Sequence, residues 1–234
     1  MQKSMIKLVS IADIISLTNA IFGFLAILFL ISDLIATEEM RLRISFSFIL
    51  LALLADGLDG VVARKTRKSD IGEYLESMAD MTSLNIAPAV FIYVVYHDLV
   101  SCCIYSHIYL LMALVVFLLF GIIRLASFHL MRNDKLFIGL PASASTIILL
   151  VLVYFEVEFI YILPAIIVIS LAMITNLSFP KPGYKINVVA AILIFLTIII
   201  GKSYYGFAPI LLFASILIYS IAGPFFTKFF RKNQ

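Results

Sequence analysis

Charged residues are scarce in this chain of 234 residues, and tryptophan is absent. Only 13% of the residues are Asp, Glu, Lys or Arg, whereas 63% are hydrophobic and the mean hydropathy is +1.13. A soluble domain is usually about half apolar and about a quarter charged, so the composition excludes an ordinary water-soluble domain. It predicts an all-α integral membrane protein, a polytopic bundle of spanning helices.

Cysteine and concentrated positive charge are also lacking. The two cysteines, Cys102 and Cys103, are adjacent, which favours neither a disulfide framework nor a metal site. The net charge of +3 is small and the basic residues are scattered in short loops, so no nucleic-acid partner is expected. Because the chain has no soluble segment, long linker or low-complexity tract, we expect residues 1–234 to form a single integral-membrane domain.

The apolar runs predict about eight spanning helices, since a span needs about 20 apolar residues and polar breaks mark its ends. The first run follows Lys3 and Lys7, lacks a small-residue cleavage site and is long enough to span. We therefore interpret it as a retained transmembrane helix and not as a signal peptide. The predicted segments are 12–36, 42–64, 72–97, 107–131, 141–156, 158–178, 186–201 and 204–227.

The basic residues indicate how the helices are oriented. If the N-terminus is cytoplasmic, nearly all Lys and Arg residues between the spans fall on the inner side, and Arg41, Arg43 and Lys202 fall outside. Cytoplasmic loops generally carry such an excess, and here it alternates as eight spans require. Both termini are therefore predicted to be cytoplasmic.

Four acids stand near the inner ends of the second and third predicted helices. Asp56 and Asp59 are three residues apart and share a helix face, and so do Glu76 and Asp80, which are four apart. The hairpin is centred near residues 67–68, so the carboxylates lie roughly 10–20 Å along the helices from the turn at about 1.5 Å per residue. We expect them to face one another in a shallow cavity below the inner membrane surface.

Acids in this position are costly and therefore indicate a function. One Asp at the centre of a spanning helix costs about 2.5–3.5 kcal/mol on the insertion scale, and four like charges cost more unless a cation binds. Carboxylate oxygens suit Mg²⁺, Ca²⁺ or Mn²⁺. Solvated acids that cap a helix or pair with nearby basic residues are the alternative, which suits Asp70 but fits four acids on facing helices poorly. We therefore predict a divalent metal site.

Small residues near the acids leave room for a ligand. Gly60 and Ala63 lie on the helix face that carries the first two acids, and Gly72 lies one turn before the third. Close helix packing uses the same pattern, and both interpretations can hold for different atoms. Arg64 adds positive charge at the mouth of the cavity, as a phosphate-bearing substrate requires.

Together these residues closely resemble the signature of the CDP-alcohol phosphotransferases, and they read Asp56-x2-Asp59-Gly60-x2-Ala63-Arg64-x7-Gly72-x3-Glu76-x3-Asp80. Two features depart from the family pattern. Glu76 stands where the family has Asp, and the gap between Arg64 and Gly72 is one residue shorter. A loop deletion is easily absorbed and Glu keeps the carboxylate, so we expect metal ligation to survive.

The resemblance implies an activity. The family transfers a phosphatidyl-type group from a CDP-linked lipid to an alcohol and releases CMP with a divalent metal, for which Mg²⁺ and Mn²⁺ are the candidates. By analogy Asp56, Asp59 and Glu76 are metal ligands. Asp80 is the general base for the acceptor hydroxyl and also contributes to the metal site. A metal pair, or one metal together with Arg64, would neutralise the pyrophosphate.

The resemblance also implies a binding site and an assembly. The implied CDP-lipid site contains Gly60, Ala63, Arg64 and Gly72. In the first helix, SLTNA is similar to a polar patch that contacts the nucleotide in this family, which adds Thr18 and Asn19; an interhelical hydrogen bond is the alternative for both. The family further implies a homodimer among membrane lipids. The orientation predicted from the basic residues places the active site on the cytoplasmic side of the cell membrane.

Three further stretches resemble the serine-using branch of the family: SMADMTSLNIAPAV (77–90), RLASF (124–128) and FIGLPASAS (137–145). They imply that L-serine is the acceptor, and the predicted span count also fits this branch better than the six-span family core. The lipid chains of CDP-diacylglycerol and of CDP-archaeol would both lie in an apolar groove, so either CDP-lipid is a candidate donor. Ser127, His129 and Ser143 depart from the branch, where we expect Arg, Asn and Pro.

Serine carries a carboxylate, so its site should offer a cation near the inner surface. Arg124 is the candidate, about two turns above the cytoplasmic end of the fourth predicted helix. A structural ion pair with one of the four acids and a contact with the lipid phosphate are the alternatives.

Two rival functions are weaker. A sibling enzyme that uses glycerol phosphate or inositol phosphate would need a denser basic pocket than Arg124, Arg132 and Lys135 supply. A cation transporter would use the acids as an ion path. However, the acids cluster at one end, and the outer halves of the helices offer few polar residues to complete such a path.

Overall fold

The computed structural model describes residues 9–33, 35, 37–63, 69, 71–101, 103–130 and 136–232. The described chain is mostly helical. The α-helices are α1 (Ile11–Ile31), α2 (Glu38–Ala63), α3 (Gly72–Asp80), α4 (Ala87–Val100), α5 (Ile104–Leu130), α6 (Ala142–Tyr154), α7 (Phe159–Met173), α8 (Tyr184–Ile200) and α9 (Ser203–Lys232). A π-helical segment, Met81–Ile86, joins α3 to α4.

Every predicted segment coincides with one of these helices or with the continuous helical run Gly72–Val100. Four described stretches are long and apolar enough to cross a membrane, namely Asp13–Ile31, Gly72–Val100, Ile104–Phe128 and Tyr205–Lys228. Helices α6, α7 and α8 are apolar but shorter. The helical class is thus confirmed, whereas the count of eight spans and the cytoplasmic termini stay predictions.

Two details differ from the expectation. Helix α2 begins at Glu38, four residues before the predicted start, because Glu38 and Glu39 in its first turn interact favourably with the positive end of the helix dipole. In addition, the helical prediction missed two short strands, β1 (Leu136–Ile138) and β2 (Ser178–Pro180), which pair antiparallel. Three-residue strands are too short to show an alternating pattern in sequence.

The described chain divides into two compact units, Met1–Ala87 and Pro88–Gln234. The expectation of one membrane domain stays a prediction. In the first unit, α1 packs against α2, α3 and the π-helical segment. Its core includes Phe46, Ile49 and Leu50 of α2, all of which are buried. The Phe29 ring of α1 stacks on the Phe48 ring at 5.2 Å between centroids.

In the second unit, α5 packs against α7, and α6 packs against both α7 and α9. Almost every side chain of α6 is buried, as expected of a helix that is apolar all round. Strand β2 of this antiparallel pair is tied to α9 by two hydrogen bonds. The Tyr219 hydroxyl donates to the Pro180 carbonyl at 3.1 Å, and the Thr227 hydroxyl donates to the Ser178 carbonyl at 2.7 Å.

The backbone conformation at residue 139 explains why the FIGLP stretch contains a glycine there. Its φ of +76° favours glycine, and a Cβ at this position would lie 2.2 Å from the Met173 carbonyl oxygen. The neighbouring backbone is held at the end of α7, because the Leu140 N–H donates to the Ala172 carbonyl at 3.0 Å. The segment between β1 and α6 is therefore pinned to α7, in a conformation that side chains rarely adopt.

Candidate active site

The predicted acids lie on two neighbouring elements of the first unit. Asp56 is on α2, and Glu76 and Asp80 are on α3. All three are half-buried. Asp80 is the last residue of α3, immediately before the helix widens into the π-helical segment. Short π-helical turns inside α-helices occur frequently at functional sites.

The structure brings these three acids together around Asp56. The Asp56 carboxyl is in hydrogen-bonding contact with the Asp80 carboxyl and close enough to Glu76 to interact with its charge. From α1, the Asn19 side-chain amide donates to Asp80 Oδ1 at 2.9 Å. This agrees with the expectation that the acids of the two helices face one another, while the catalytic and metal-binding roles assigned to them stay predictions.

The other predicted residues of the hairpin are described less fully. Asp59, Gly60 and Ala63 belong to α2, but the placement of the Asp59 and Ala63 side chains lies outside the described part of the structure. Arg64 lies outside the described residues altogether. Their assignments as metal ligand and CDP-lipid contacts therefore rest on the sequence.

The two polar residues of α1 differ in what they contact. Asn19 is completely buried and reaches Asp80, so the interhelical hydrogen bond considered as an alternative does form. Thr18 is half-buried, and its hydroxyl donates to the Ile14 carbonyl one turn earlier, at 2.8 Å. That bond stays within α1 and leaves the oxygen of Thr18 able to accept a hydrogen bond from a ligand.

Gly72 is packed against a residue that the sequence analysis missed. Asp13 of α1 is only 3% exposed, and a Cβ on Gly72 would lie 2.8 Å from Asp13 Oδ1. The other oxygen of Asp13 accepts a hydrogen bond from the Ser10 N–H at 2.6 Å, as part of a capping box. A serine followed by an acid three residues later signals such a cap, but the contact with Gly72 has no sequence signal.

The group of acids fits a hard divalent cation by its chemistry. Two carboxylates in contact repel each other unless a proton or a cation lies between them, and oxygen donors are those that Mg²⁺ and Mn²⁺ prefer. The buried Asn19 Oδ1 has no hydrogen-bond partner, so a donor such as a metal-bound water would satisfy it. Among the described side chains, however, no group of three or more His, Cys, Asp or Glu is arranged around a common metal position.

Arg124, the predicted acceptor-binding residue, lies in the second unit on α5. It is 8% exposed, its Nε–H donates to the Leu140 carbonyl at 3.3 Å, and its guanidinium lies 5.5 Å from the centre of the Phe128 ring. No described carboxylate of the second unit forms an ion pair with it. The alternatives of an ion pair with the four acids and of a lipid phosphate contact stay open.

Comparison with known proteins points to one family. Residues 9–177 match the family model described as CDP-alcohol phosphatidyltransferase. A Methanocaldococcus jannaschii protein named CDP-diacylglycerol–serine O-phosphatidyltransferase is 33% identical, over 89% of this chain and 92% of its own length. The archaetidylserine synthase of Methanothermobacter thermautotrophicus is 31% identical over 76% and 73%. A Saccharomyces cerevisiae protein with the same name as the first is 29% identical over 64% and 56%.

Proposed function

The chain belongs to the CDP-alcohol phosphatidyltransferase family, and on that premise we propose that it transfers the phosphatidyl-type group of a CDP-linked lipid to L-serine in phospholipid biosynthesis. The resemblance inferred from the acidic signature is thereby confirmed, and the protein is an enzyme. The choice of serine is supported by the names of two relatives that are 33% and 31% identical over most of the chain.

The contact of Asp56 with Asp80, next to Glu76, is the observation that carries the proposed chemistry. The hydroxyl oxygen of serine attacks the phosphorus that carries the lipid, the bond from this phosphorus to the bridging oxygen breaks, and CMP leaves with that oxygen. Asp80 accepts the hydroxyl proton, because a serine hydroxyl is a poor nucleophile at neutral pH without a positioned base. The amide of Asn19 holds one oxygen of Asp80, so the carboxylate is oriented before the substrate arrives.

The remaining acids suit the second requirement, which is to hold the charged pyrophosphate. Asp56, Asp59, Glu76 and Asp80 would hold Mg²⁺ or Mn²⁺, and such a cation neutralises charge on the transferring phosphoryl group and on the leaving CMP. Gly60, Ala63, Arg64 and Gly72 would line the CDP-lipid site with Thr18 and Asn19, and Arg124 would bind the acceptor. For Gly72 the absence of a side chain matters, since Asp13 lies directly against it.

The finer features of the proposal follow from the sequence and from the family. The excess of basic residues in alternate loops supports an active site on the cytoplasmic side of the cell membrane. The family resemblance supports a homodimer. Because the named relatives include both a diacylglycerol-type and an archaetidyl-type enzyme, both CDP-diacylglycerol and CDP-archaeol should be assayed.

Acceptor competition tests the proposal directly. Purified protein with Mg²⁺ or Mn²⁺ should release CMP from the CDP-lipid when L-serine is added, and far more slowly with glycerol phosphate or inositol phosphate. Removing the metal with a chelator should stop the reaction. Faster CMP release with either phosphorylated acceptor than with serine would make the chain a sibling enzyme.

The base can be tested separately. Asp80→Asn should lower turnover about 10²–10⁴-fold, while calorimetry should show nearly unchanged binding of the CDP-lipid with metal, because other acids remain. Asp98→Asn provides a matched control, since Asp98 is an exposed acid of α4. Loss of CDP-lipid and metal binding in Asp80→Asn would make this residue a structural ligand and not the base.

A further inference from the structure

The second unit contains a pocket of about 190 Å³ where the C-terminal parts of α5 and α7 meet strand β1. It is smaller than the roughly 300–1,000 Å³ of sites for drug-sized ligands, so it suits a small metabolite. The aromatic rings of Phe128 and Phe137 form part of its wall. Its polar lining consists of Arg124, Ser127, Thr175 and Asn176.

Arg124 gives this pocket a positively charged group. The side chain is more than nine-tenths buried, and the Leu140 carbonyl takes up only its Nε–H. The two terminal nitrogens carry four N–H donors, and no described carboxylate of the second unit forms an ion pair with them. The Tyr219 side chain interacts electrostatically with the guanidinium, and a carboxylate bound in the pocket can accept two parallel hydrogen bonds from it.

Other lining residues of the pocket offer oxygen atoms that accept hydrogen bonds. The Thr175 hydroxyl donates its proton to the Ala172 carbonyl at 2.8 Å, so its oxygen can only accept from a ligand. Asn176 is exposed at the pocket and supplies an amide oxygen. Ser127 stands one turn after Arg124, at the position where the serine-using branch suggests a second arginine, so it adds a hydroxyl and no charge.

One cation together with accepting oxygens matches a zwitterion better than a phosphate. A phosphorylated acceptor brings about two negative charges at neutral pH, which a single guanidinium does not balance and which the accepting oxygen of Thr175 would oppose. A free amino acid brings one carboxylate for the guanidinium and an ammonium group for the oxygens. We propose that this pocket holds the carboxylate and ammonium groups of the acceptor amino acid, with Thr175 and Asn176 as the residues that select the ammonium group.

The proposal rests on the proposed function, since it names the binding site of the acceptor in that reaction. It is tested by combining protein variants with acceptors that each lack one group: ethanolamine has no carboxylate, and hydroxypropanoate has no amino group. In the unaltered protein both should have a lower kcat/KM than serine. Thr175→Val should reduce kcat/KM for serine about 10-fold or more, as for the loss of a hydrogen bond to a charged group, and should reduce it much less for hydroxypropanoate.

Arg124→Lys should instead affect acceptors that carry a carboxylate. Its kcat/KM should fall more for serine than for ethanolamine. Asn176→Ala should follow Thr175→Val, and Thr175→Ser should retain serine use because it keeps the hydroxyl. Thr197→Val is the matched control, since the Thr197 hydroxyl makes the same kind of bond, to the Leu193 carbonyl at 2.8 Å, in α8. This control should leave every KM unchanged.

Each other outcome overturns the proposal. Equal losses for serine and hydroxypropanoate in Thr175→Val would show that Thr175 does not contact the ammonium group. A raised KM for the CDP-lipid with an unchanged KM for serine in Arg124→Lys would assign the pocket to the lipid phosphate. If the unaltered protein releases no CMP with serine, the proposed function itself fails; if serine is used and the variants keep the same preferences, only the pocket assignment fails.

Discussion

Replacing Gly23 with alanine should damage the acid cluster from a position that touches none of the acids. Gly23 lies where α1 crosses the π-helical segment, and a Cβ there would be 2.6 Å from Ser83 Cα and 2.8 Å from Ser83 Cβ. Carbon atoms pack at about 3.5–4.0 Å, so the two elements have to separate by about 1 Å. Neither contacting atom belongs to the flexible end of a long side chain, so a rotamer change of Ser83 cannot relieve the contact with its Cα.

The expected effect follows from where the separation falls. Asn19 lies one turn before Gly23, and Asp80 lies three residues before Ser83, so the 2.9 Å hydrogen bond from Asn19 to Asp80 spans the same gap. Lengthening it by about 1 Å takes it beyond hydrogen-bonding distance. Overpacking of this kind costs about 1–3 kcal/mol of stability, and a misplacement of about 1 Å near a reacting group costs about 10²-fold in rate.

The assay compares CMP release and the thermal unfolding midpoint of Gly23→Ala with those of Gly57→Ala. A Cβ on Gly57 in α2 meets nothing within 4 Å, and alanine is preferred to glycine inside a helix by about 0.5–1 kcal/mol. Gly57→Ala should therefore keep its turnover, and its midpoint should be unchanged or slightly higher. Adding Ser83→Gly to Gly23→Ala should restore little, because the contact with the Cα remains. Normal turnover and stability in Gly23→Ala, or equal losses in the two glycine variants, would refute the reasoning.

Three further outcomes are expected. Asp56→Asn should abolish transfer while the protein still inserts and folds, and full activity at the same metal concentration would remove Asp56 from the metal site. Glu76→Asp should keep substantial activity and Glu76→Gln should not, because the carboxylate is what the site uses; a Gln variant as active as the parent would show that the third acid is dispensable. In a Cys102→Ser protein, a membrane-impermeant maleimide should label Cys103 from outside sealed cells. Hydrogen bonds from Ser106 and from the Tyr105 backbone lower the pKa of the exposed Cys103 thiol, so the rise of labelling with pH should come earlier than for an unperturbed thiol; labelling from the cytoplasmic side alone would contradict the predicted orientation.

Several features of this protein could be predicted because they are local in the chain. The scarcity of charge and the length of the apolar runs decide that the chain is helical, since in lipid a helix satisfies its own backbone hydrogen bonds. The three- and four-residue spacing of the acids places each pair on one helix face. The spacing of the signature also led to the correct family. The strands β1 and β2 were missed, because they form only when residues 136–138 and 178–180 meet after the intervening helices have packed.

The sequence by itself determined the helical class, the family, and the two helices that carry the acids, since composition and periodicity along a single helix are enough for these. Only the tertiary structure decided which side chains touch. Periodicity defines the face of a helix but not its rotation or depth against its neighbours, and these depend on how closely the backbones can approach. That approach occurs at Gly23 against Ser83 and at Gly72 against Asp13. It places Asn19 on Asp80, 61 residues away, and the packing of α5 with α7 likewise brings Thr175 and Asn176 to Arg124.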